Sequence, residues 1–441
     1  MANASIDRSA DRSGTSDIRQ TTLPSGTRLV TERMPQVRSA SVGMWINTGA
    51  RDEEPAVAGA SHFLEHLLFK GTARRSAAEI AGVLEAVGGD LNAFTSKEYT
   101  CFYARCLDRD LPLAVDVLAD MITSAHVAAE HVDAERSVVL EEIRMHRDTP
   151  DDLVHSVFSE ALYGDHPLGR EVLGTSGSIE AVLRDDVYDY YRARYVPDNL
   201  VIAVAGNIDH DHVADLVGAA LQGWEPAGTP PGRQLFAPEQ PARPLGLCRR
   251  PTEQAHVCFG GMAFARDDDR RFAARVLEQA VGGGMASRLF QEVRERRGLA
   301  YSVFSYLSSH AETGYHAVYA GTAVERVDEV LEVIRGELSG VLASGLTEAE
   351  LAAAKGALTG SLILGLEDTG SRMMRLGRAA VCDLPLLSLD EIMASIDRVD
   401  HDAVTAVART LYGGAWSLAV VGPFDDSEMG RFVGYSEPLA A

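Results

Sequence analysis

Short apolar runs bounded by polar residues recur near the start of the chain, as at residues 27–32 and 41–47. Runs of this length and pattern are typical of strands. Other stretches repeat apolar residues at every third or fourth position, the period of an amphipathic helix. Ser76 and Glu79 have the spacing of a capping box that opens one such helix. The mixture predicts an α+β fold in which mostly antiparallel sheets carry helices on one face.

Two segments of the chain match each other without a gap: residues 186–209 and 402–425, at an offset of 216 residues (402 − 186). Both end in Ala-Val-x-Gly-x-x-Asp. The shared pattern predicts a helix, a buried strand at 200–205 and 418–421, a glycine turn and a further helix. The sequence therefore indicates two duplicated domains.

A proline-rich segment separates the two copies. Proline interrupts helices and central strands and stiffens a linker, so we place the domain boundary there. The N-terminal residues are small and polar and lack the apolar core of a secretory signal. We predict a disordered tail at 1–17, a catalytic domain at 18–225, a linker at 226–244 and a second domain at 245–432.

Composition narrows the classes of function. The 441 residues are 46% hydrophobic and 24% charged, and no apolar run approaches the ~20 residues of a membrane helix. The 41 basic and 64 acidic residues give a formal charge of −23, which opposes binding to nucleic-acid phosphates. Five widely spaced cysteines fit neither a disulfide framework nor a zinc ribbon. We expect a cytoplasmic protein with no nucleic-acid or membrane partner.

The most informative pattern is His62-x-x-Glu65-His66. On a helix, two imidazoles four residues apart lie on one face. Burying them beside a carboxylate is costly unless the polar groups are satisfied, and a metal satisfies them. The order is the inverzincin signature, the inverse of His-Glu-x-x-His; a chance match has a probability of roughly a few per cent. Apolar side chains fill most of the remaining helix circumference: Phe63, Leu64, Leu67 and Leu68.

Two histidines leave a catalytic zinc one protein ligand short. A later helical pattern offers Glu135 and Glu142, which share a face with Val138 and Val139. Glu141, one residue away from that register, should point elsewhere. Helical spacing leaves both Glu135 and Glu142 as candidates.

These motifs resemble the pitrilysin-type inverzincins, a family that includes insulin-degrading enzyme, the mitochondrial processing peptidases and single-chain, homodimeric bacterial relatives. The resemblance covers nearly the whole chain after the tail. In that family the third ligand lies about 76 residues past the second histidine, in a Glu-Arg-x-Val-x-Leu-x-Glu pattern, at position 142 here. The resemblance implies one Zn²⁺ per chain on His62, His66 and Glu142, with Glu65 as the catalytic base and Glu135 orienting a ligand.

The resemblance also assigns a substrate strand and a pair of donors. The residues that match the family's peptide-binding edge strand are Asn92, Ala93, Phe94 and Thr95. Such a strand binds an extended peptide by adding it to the sheet; an ordinary edge strand is the alternative. In the second half, Arg294 and Tyr301 match a pair that stabilises the developing oxyanion, whereas the residues alone favour a surface arginine and a core tyrosine. The second half carries no zinc motif.

The function implied is a zinc metalloendopeptidase that hydrolyses peptides or unfolded polypeptides in a single step. Family members enclose the substrate in a chamber made of two such chains, so the resemblance implies a homodimer in which Arg294 and Tyr301 face the zinc of the other subunit. One alternative is a precursor-processing peptidase. Another is a non-catalytic scaffold subunit of the same fold, although such proteins typically lose histidine or glutamate residues that are all present here.

Overall fold

The computed structural model describes residues 17–224, 231–233, 235, 238 and 240–439. The predicted tail, except residue 17, and part of the predicted linker lie outside the described residues. The first sheet contains β1 (Asp17–Thr22), β2 (Arg28–Arg33), β3 (Ser39–Ile46), β4 (Asp90–Thr95), β5 (Thr100–Leu107) and β6 (Leu200–Gly206). The second contains β7 (Leu245–Arg249), β8 (Gln254–Ala263), β9 (Ala300–Ser309), β10 (Gly314–Ala323) and β11 (Trp416–Gly422).

The two sheets share one strand order. The first runs β1-β2-β6-β3-β5-β4 and the second β7-β11-β8-β10-β9. Only the pairs β2–β6 and β7–β11 are parallel; the others are antiparallel. When β1 is left out, the strand orders and strand directions of the two sheets coincide. The first and last residues of β6 and β11 are also separated by the predicted offset of 216 residues (416 − 200 and 422 − 206). The predicted α+β class and the duplication are confirmed.

Helices occupy most of the remaining chain. The helices up to residue 220 are α1 (Ala60–Leu68), α2 (Ala77–Glu85), α3 (Leu111–Ser124), α4 (Ala129–Arg147), α5 (Pro150–Tyr163), α6 (Ser176–Ala181), α7 (Arg184–Arg194) and α8 (His210–Ala220). Those after it are α9 (Arg271–Gly282), α10 (Val327–Ser344), α11 (Glu348–Gly365), α12 (Thr369–Val381), α13 (Leu389–Asp397), α14 (His401–Tyr412) and α15 (Met429–Val433). A π-helical segment spans Phe290–Arg296.

The predicted capping box is present at α2, where the Ser76 hydroxyl accepts a hydrogen bond from the Glu79 amide and the Glu79 carboxylate accepts one from the Ser76 amide. Within the described part of the chain, no single helix is long and apolar enough to cross a bilayer. In the same described residues, α11 and α12 taken together, as a sharply bent pair, reach that length and composition.

The chain forms two compact units that do not follow the two predicted sequence halves. The first unit takes its described residues from Met1–Ile143, Glu171–Arg233 and Ile363–Leu389. The second takes them from Arg144–Arg170, Gln234–Leu362 and Asp390–Ala441. Each unit therefore contains one helix-bearing segment from the opposite half of the sequence: α12 belongs to the first unit and α5 to the second.

The sequence predicted helices on one face of each sheet. The exchanged helices α12 and α5 cover part of the opposite face as well. In the first unit, Met373 and Leu376 of α12 pack on Trp45 and Ala203, on the face opposite the main helical layer. A Cβ at Gly377 would overlap the Trp45 indole, so glycine permits this close approach. In the second unit, α5 packs on its sheet in the same way. The physical reason is that β6 and β11 are buried at every position, so both of their faces need a cover.

Candidate metal centre

Helix α1 presents its two histidines because its other faces are apolar. Phe63 and Leu64 are fully buried in the core of the first unit, and Leu67 and Leu68 are at most 1% exposed. This burial fixes the rotation of the helix about its axis. The two imidazole rings consequently lie side by side, with their centroids 4.7 Å apart.

Helix α4 brings a carboxylate to these imidazoles. Oε2 of Glu142 lies 3.6 Å from Nε2 of His62 and 3.6 Å from Nε2 of His66. One ligand atom from each of the three residues lies within 4.8 Å of the others. Among the described residues, no other group of three or more His, Cys, Asp or Glu side chains has such a spacing.

The donor atoms fit a zinc ion. Two atoms at ~2.1 Å from a tetrahedral zinc lie about 3.4 Å apart, close to the two distances seen here. Oε2 of Glu142 is also buried without a hydrogen-bond partner among the described residues. A buried carboxylate oxygen in that condition is unfavourable, whereas a cation between it and the two imidazoles would satisfy it.

The protonation state of His62 suits a metal ligand. Burial, together with the nearby His66, lowers the pKa of His62 to about 4. The imidazole is therefore neutral at physiological pH and keeps the lone pair that a metal requires.

Glu135 holds the second histidine in place. Its Oε2 lies 3.1 Å from Nδ1 of His66, and its Oε1 lies 2.7 Å from Nζ of Lys70. When Nδ1 of His66 carries the proton and donates a hydrogen bond to this carboxylate, the lone pair of Nε2 is directed towards Glu142. Lys70 was not among the residues predicted for the site, although its position four residues after His66 was a signal. Glu135 itself is only 7% exposed.

Two other residues of α4 test the predicted helix face. Glu141 is exposed, as expected. Val138 is 44% exposed, whereas Val139 is fully buried. The expectation that Val138 belongs to the apolar face was wrong, because Val138 lies at the margin of the face defined by Glu135, Val139 and Glu142.

Glu65 lies between the two histidines in the sequence of α1, and its carboxylate is hydrogen-bonded to a residue of β4. The Thr95 hydroxyl donates a 2.5 Å hydrogen bond to Oε2 of Glu65. Burial raises the pKa of Glu65, while the Thr95 hydrogen bond opposes that rise. This contact joins α1 to β4, and no spacing in the sequence indicated it.

The predicted substrate strand is β4, and it lies at the end of the strand order, paired with β5. Asn92 is exposed and Ala93 is half-buried. Phe94 packs edge-on against Trp45, with ring centroids 5.7 Å apart. The Phe94 side chain is therefore committed to the sheet, and the main chain of β4 is the part that a further strand could pair with.

Arg294 and Tyr301 lie in the second unit and contact each other. The Arg294 guanidinium lies over the Tyr301 ring, 4.6 Å from its centroid, and 4.7 Å from the Phe290 ring. Tyr301 is 78% exposed, which contradicts the alternative of a core tyrosine. The π-helical backbone at Phe290–Arg296 carries the arginine, and such segments are frequent at functional sites.

The cysteines have no part in this centre. Cys101, Cys106 and Cys258 are buried, and Cys248 and Cys382 are partly exposed.

Two related sheets and a His-x-x-Glu-His helix completed by a glutamate from a second helix define a metallopeptidase framework of the inverzincin type. A family model described as "Insulinase (Peptidase family M16)" matches residues 28–176. A second, described as "Peptidase M16 inactive domain", matches residues 181–358. The chain belongs to peptidase family M16, and the predicted resemblance is confirmed.

Relatives named as zinc proteases cover almost the whole chain. One from Streptomyces coelicolor is 50% identical over 426 residues, 95% of this chain and 92% of the relative. One from Bacillus subtilis is 41% identical over 406 residues, 92% of this chain and 98% of the relative. Both carry the name "uncharacterized zinc protease". Zinc dependence and the metallopeptidase class are thereby supported at the level of the family.

Solved structures share the fold at low identity. A protease from Helicobacter pylori superposes with a TM-score of 0.89 at 21% identity, covering 92% of this chain and all (100%) of that one. A putative M16-like peptidase from Alicyclobacillus acidocaldarius gives a TM-score of 0.83 at 20% identity, covering 92% of this chain and 98% of that one. At such identities the likeness concerns the fold alone.

Proposed function

We propose that this chain is a zinc metalloendopeptidase that hydrolyses peptides or unfolded polypeptides, with one Zn²⁺ per chain on His62, His66 and Glu142. The observation that carries the proposal is Oε2 of Glu142, which lies 3.6 Å from Nε2 of both histidines and has no hydrogen-bond partner among the described residues. A zinc ion in such a site lowers the pKa of a water molecule and polarises the scissile carbonyl.

The chain's own residues would supply the proton transfers. Glu65 would accept a proton from the attacking water and later deliver it to the leaving nitrogen, as a general base and then a general acid. Burial raises its pKa, which suits a group that must both take up and release a proton near neutral pH. Thr95 holds one oxygen of Glu65 by its hydrogen bond, which leaves the other oxygen for the water.

Substrate would bind at β4 as an added strand, by main-chain hydrogen bonds to residues 92–95. Main-chain pairing accepts any extended peptide and leaves the choice of sequence to side-chain pockets, which suits unfolded polypeptides. The hydrogen-bond donors of Arg294 and Tyr301 would stabilise the oxyanion. We propose that the chain works as a cytoplasmic homodimer whose chamber brings this pair to the zinc of the partner subunit.

Two other functions are compatible with the family. A precursor-processing peptidase would use the same site on a narrower set of substrates. A non-catalytic scaffold subunit is the other candidate, since the second half matches a model described as an inactive domain. The presence of the histidines, of Glu65 and of Glu142 in one cluster favours the catalytic function over the scaffold.

The test is zinc stoichiometry measured together with hydrolysis of a quenched basic peptide. Wild type and Glu65→Gln should each contain about one zinc per chain. Only the wild type should cleave the peptide, and a chelator should abolish the cleavage. Metal-free protein would favour the scaffold function, and cleavage that survives both the substitution and the chelator would be assigned to a contaminating peptidase.

A further inference from the structure

The metal-bearing helix α1 has no capping side chain of its own. Its N-cap residue is Gly59, which adopts a left-handed conformation (φ 95°) and provides no side-chain acceptor. The first amides of a helix have no partner within the helix, and buried amides need one. Ala60 and Ser61, the first two residues of α1, are each only 1% exposed, so water does not meet this need.

A carboxylate from outside the helix supplies the missing acceptor. Oε2 of Glu53 accepts a 2.6 Å hydrogen bond from the Gly59 amide, and Oε1 accepts a 2.7 Å bond from the Ser61 amide. Glu53 is 5% exposed. Both of its oxygens are therefore bound to the backbone at the start of α1, and its negative charge lies at the positive end of the helix.

The segment that carries Glu53 is itself held tightly. The amide of Ala50 donates to the Ser96 carbonyl at 3.1 Å, and the amide of Arg51 donates to the Lys97 carbonyl at 2.9 Å. The Arg51 guanidinium forms a 2.7 Å ion pair with Glu98, and both side chains are at most 2% exposed. The residues preceding Glu53 are thus fixed to the turn that follows β4.

Arg233 adds a second anchor next to Glu53. Its Nε and Nη2 donate to the two carboxylate oxygens of Asp52, at 2.8 and 2.7 Å, and Nη2 also donates to the Glu98 carbonyl at 2.6 Å. A bidentate hydrogen bond of this kind fixes the orientation of the Asp52 carboxylate as well as its distance from the guanidinium. Because Asp52 precedes Glu53, the capping carboxylate has little freedom to move.

The geometry points to Glu53 as a positioning residue for the metal centre: by capping α1 it fixes the helix start, and with it His62 and His66. His62 directly follows Ser61, the second residue that Glu53 binds. Metal sites require ligands held to within about 0.5 Å, and α1 has only nine residues, too short to be stable on its own. The inference rests on the proposed zinc site.

The test compares zinc affinity with stability. We expect Glu53→Ala to weaken zinc binding by on the order of tenfold, the lower end for residues that orient metal ligands. Glu53→Gln should lie between that variant and wild type, because its single carbonyl oxygen can accept from only one of the two amides. Affinity is measured on the full chain by competition with a chromophoric chelator, and stability by urea unfolding of the metal-free protein.

Asp209 offers a matched control. It caps α8 in the same unit, where Oδ1 accepts a 3.0 Å hydrogen bond from the His212 amide. Asp209→Ala should destabilise the chain and leave the zinc affinity unchanged. Equal zinc affinity in wild type and both Glu53 variants would overturn the inference, as would an equal loss in Asp209→Ala. If Glu53→Ala does not fold, Glu53→Gln decides. Wild type that binds no zinc would instead overturn the proposed function.

Discussion

Thr95 on β4 donates a 2.5 Å hydrogen bond to Glu65 on α1. The contact joins the strand proposed to bind substrate to the group proposed to handle the proton. Because the hydroxyl bonds the charged carboxylate, it lowers the pKa of Glu65 against the rise caused by burial.

Thr95→Val removes the donor and nearly conserves the side-chain volume. The pKa of Glu65 should then rise further, since the opposing hydrogen bond is lost and burial remains. A base must be deprotonated to act, so the acidic limb of the kcat/KM profile should move to higher pH. Activity on that acidic limb should fall on the order of tenfold, the value of one hydrogen bond to a charged group. Thr95→Ser keeps the donor and should retain the wild-type profile; identical profiles for Val and Ser variants would contradict the role of the hydroxyl.

Metal removal should destabilise the wild type and leave a ligand variant unchanged. A ligand that binds only the folded chain stabilises it, so a chelator should lower the Tm of the wild type. Glu142→Gln removes the charged acceptor between the two imidazoles, and its Tm should not respond to the chelator. The neighbouring exposed Glu141 provides the control: Glu141→Gln should behave as the wild type. A chelator-independent Tm in the wild type would argue against a bound metal.

A site completed by two chains can be tested by mixing inactive variants. Glu65→Gln lacks the base and Tyr301→Phe lacks one donor, so each homodimer should be impaired. Mixed dimers contain one site with both groups intact and should regain part of the wild-type activity. Two preparations of Glu65→Gln mixed in the same way give the background. Recovery no greater than that of either parent would exclude a site shared between subunits.

An ion pair in the second unit should make stability depend on pH. Arg288 binds both oxygens of Glu350, at 2.5 and 2.8 Å. This hydrogen bonding, with a smaller contribution from Thr347, lowers the pKa of Glu350 from 4.5 to about 2. The pair's stabilisation is therefore fully present above about pH 4.5 and is lost as pH falls towards 2.

Glu350→Gln should cost about 1–2 kcal/mol in the free energy of unfolding at neutral pH, allowing for partial solvent screening. The difference from wild type should shrink as the pH falls through this window. Urea unfolding across the pH range measures it. The exposed Glu329 on α10 serves as the control, because Glu329→Gln removes the same charge without an ion pair. A constant difference at all pH values would contradict the assignment.

Much of the candidate metal centre was predictable because its signals are local. Two imidazoles four residues apart share a helix face wherever that helix lies, and apolar neighbours indicate that the face is close to a core. The choice of Glu142 over Glu135 needed the family spacing, because helical periodicity places both on one face. The duplication was visible because each copy retains the same order of helix, buried strand and glycine turn.

The remaining contacts were decided by tertiary packing. Thr95 meets Glu65 across 30 residues, and Glu135 meets His66 across 69. Tertiary packing also decided that α5 belongs to the second unit and α12 to the first. The apolar pattern of each helix shows that it can cover a sheet, but not which sheet it covers. Periodicity thus determined which residues share a face. Only the folded chain determined which faces meet, because that choice depends on how buried surfaces fit together over long sequence separations.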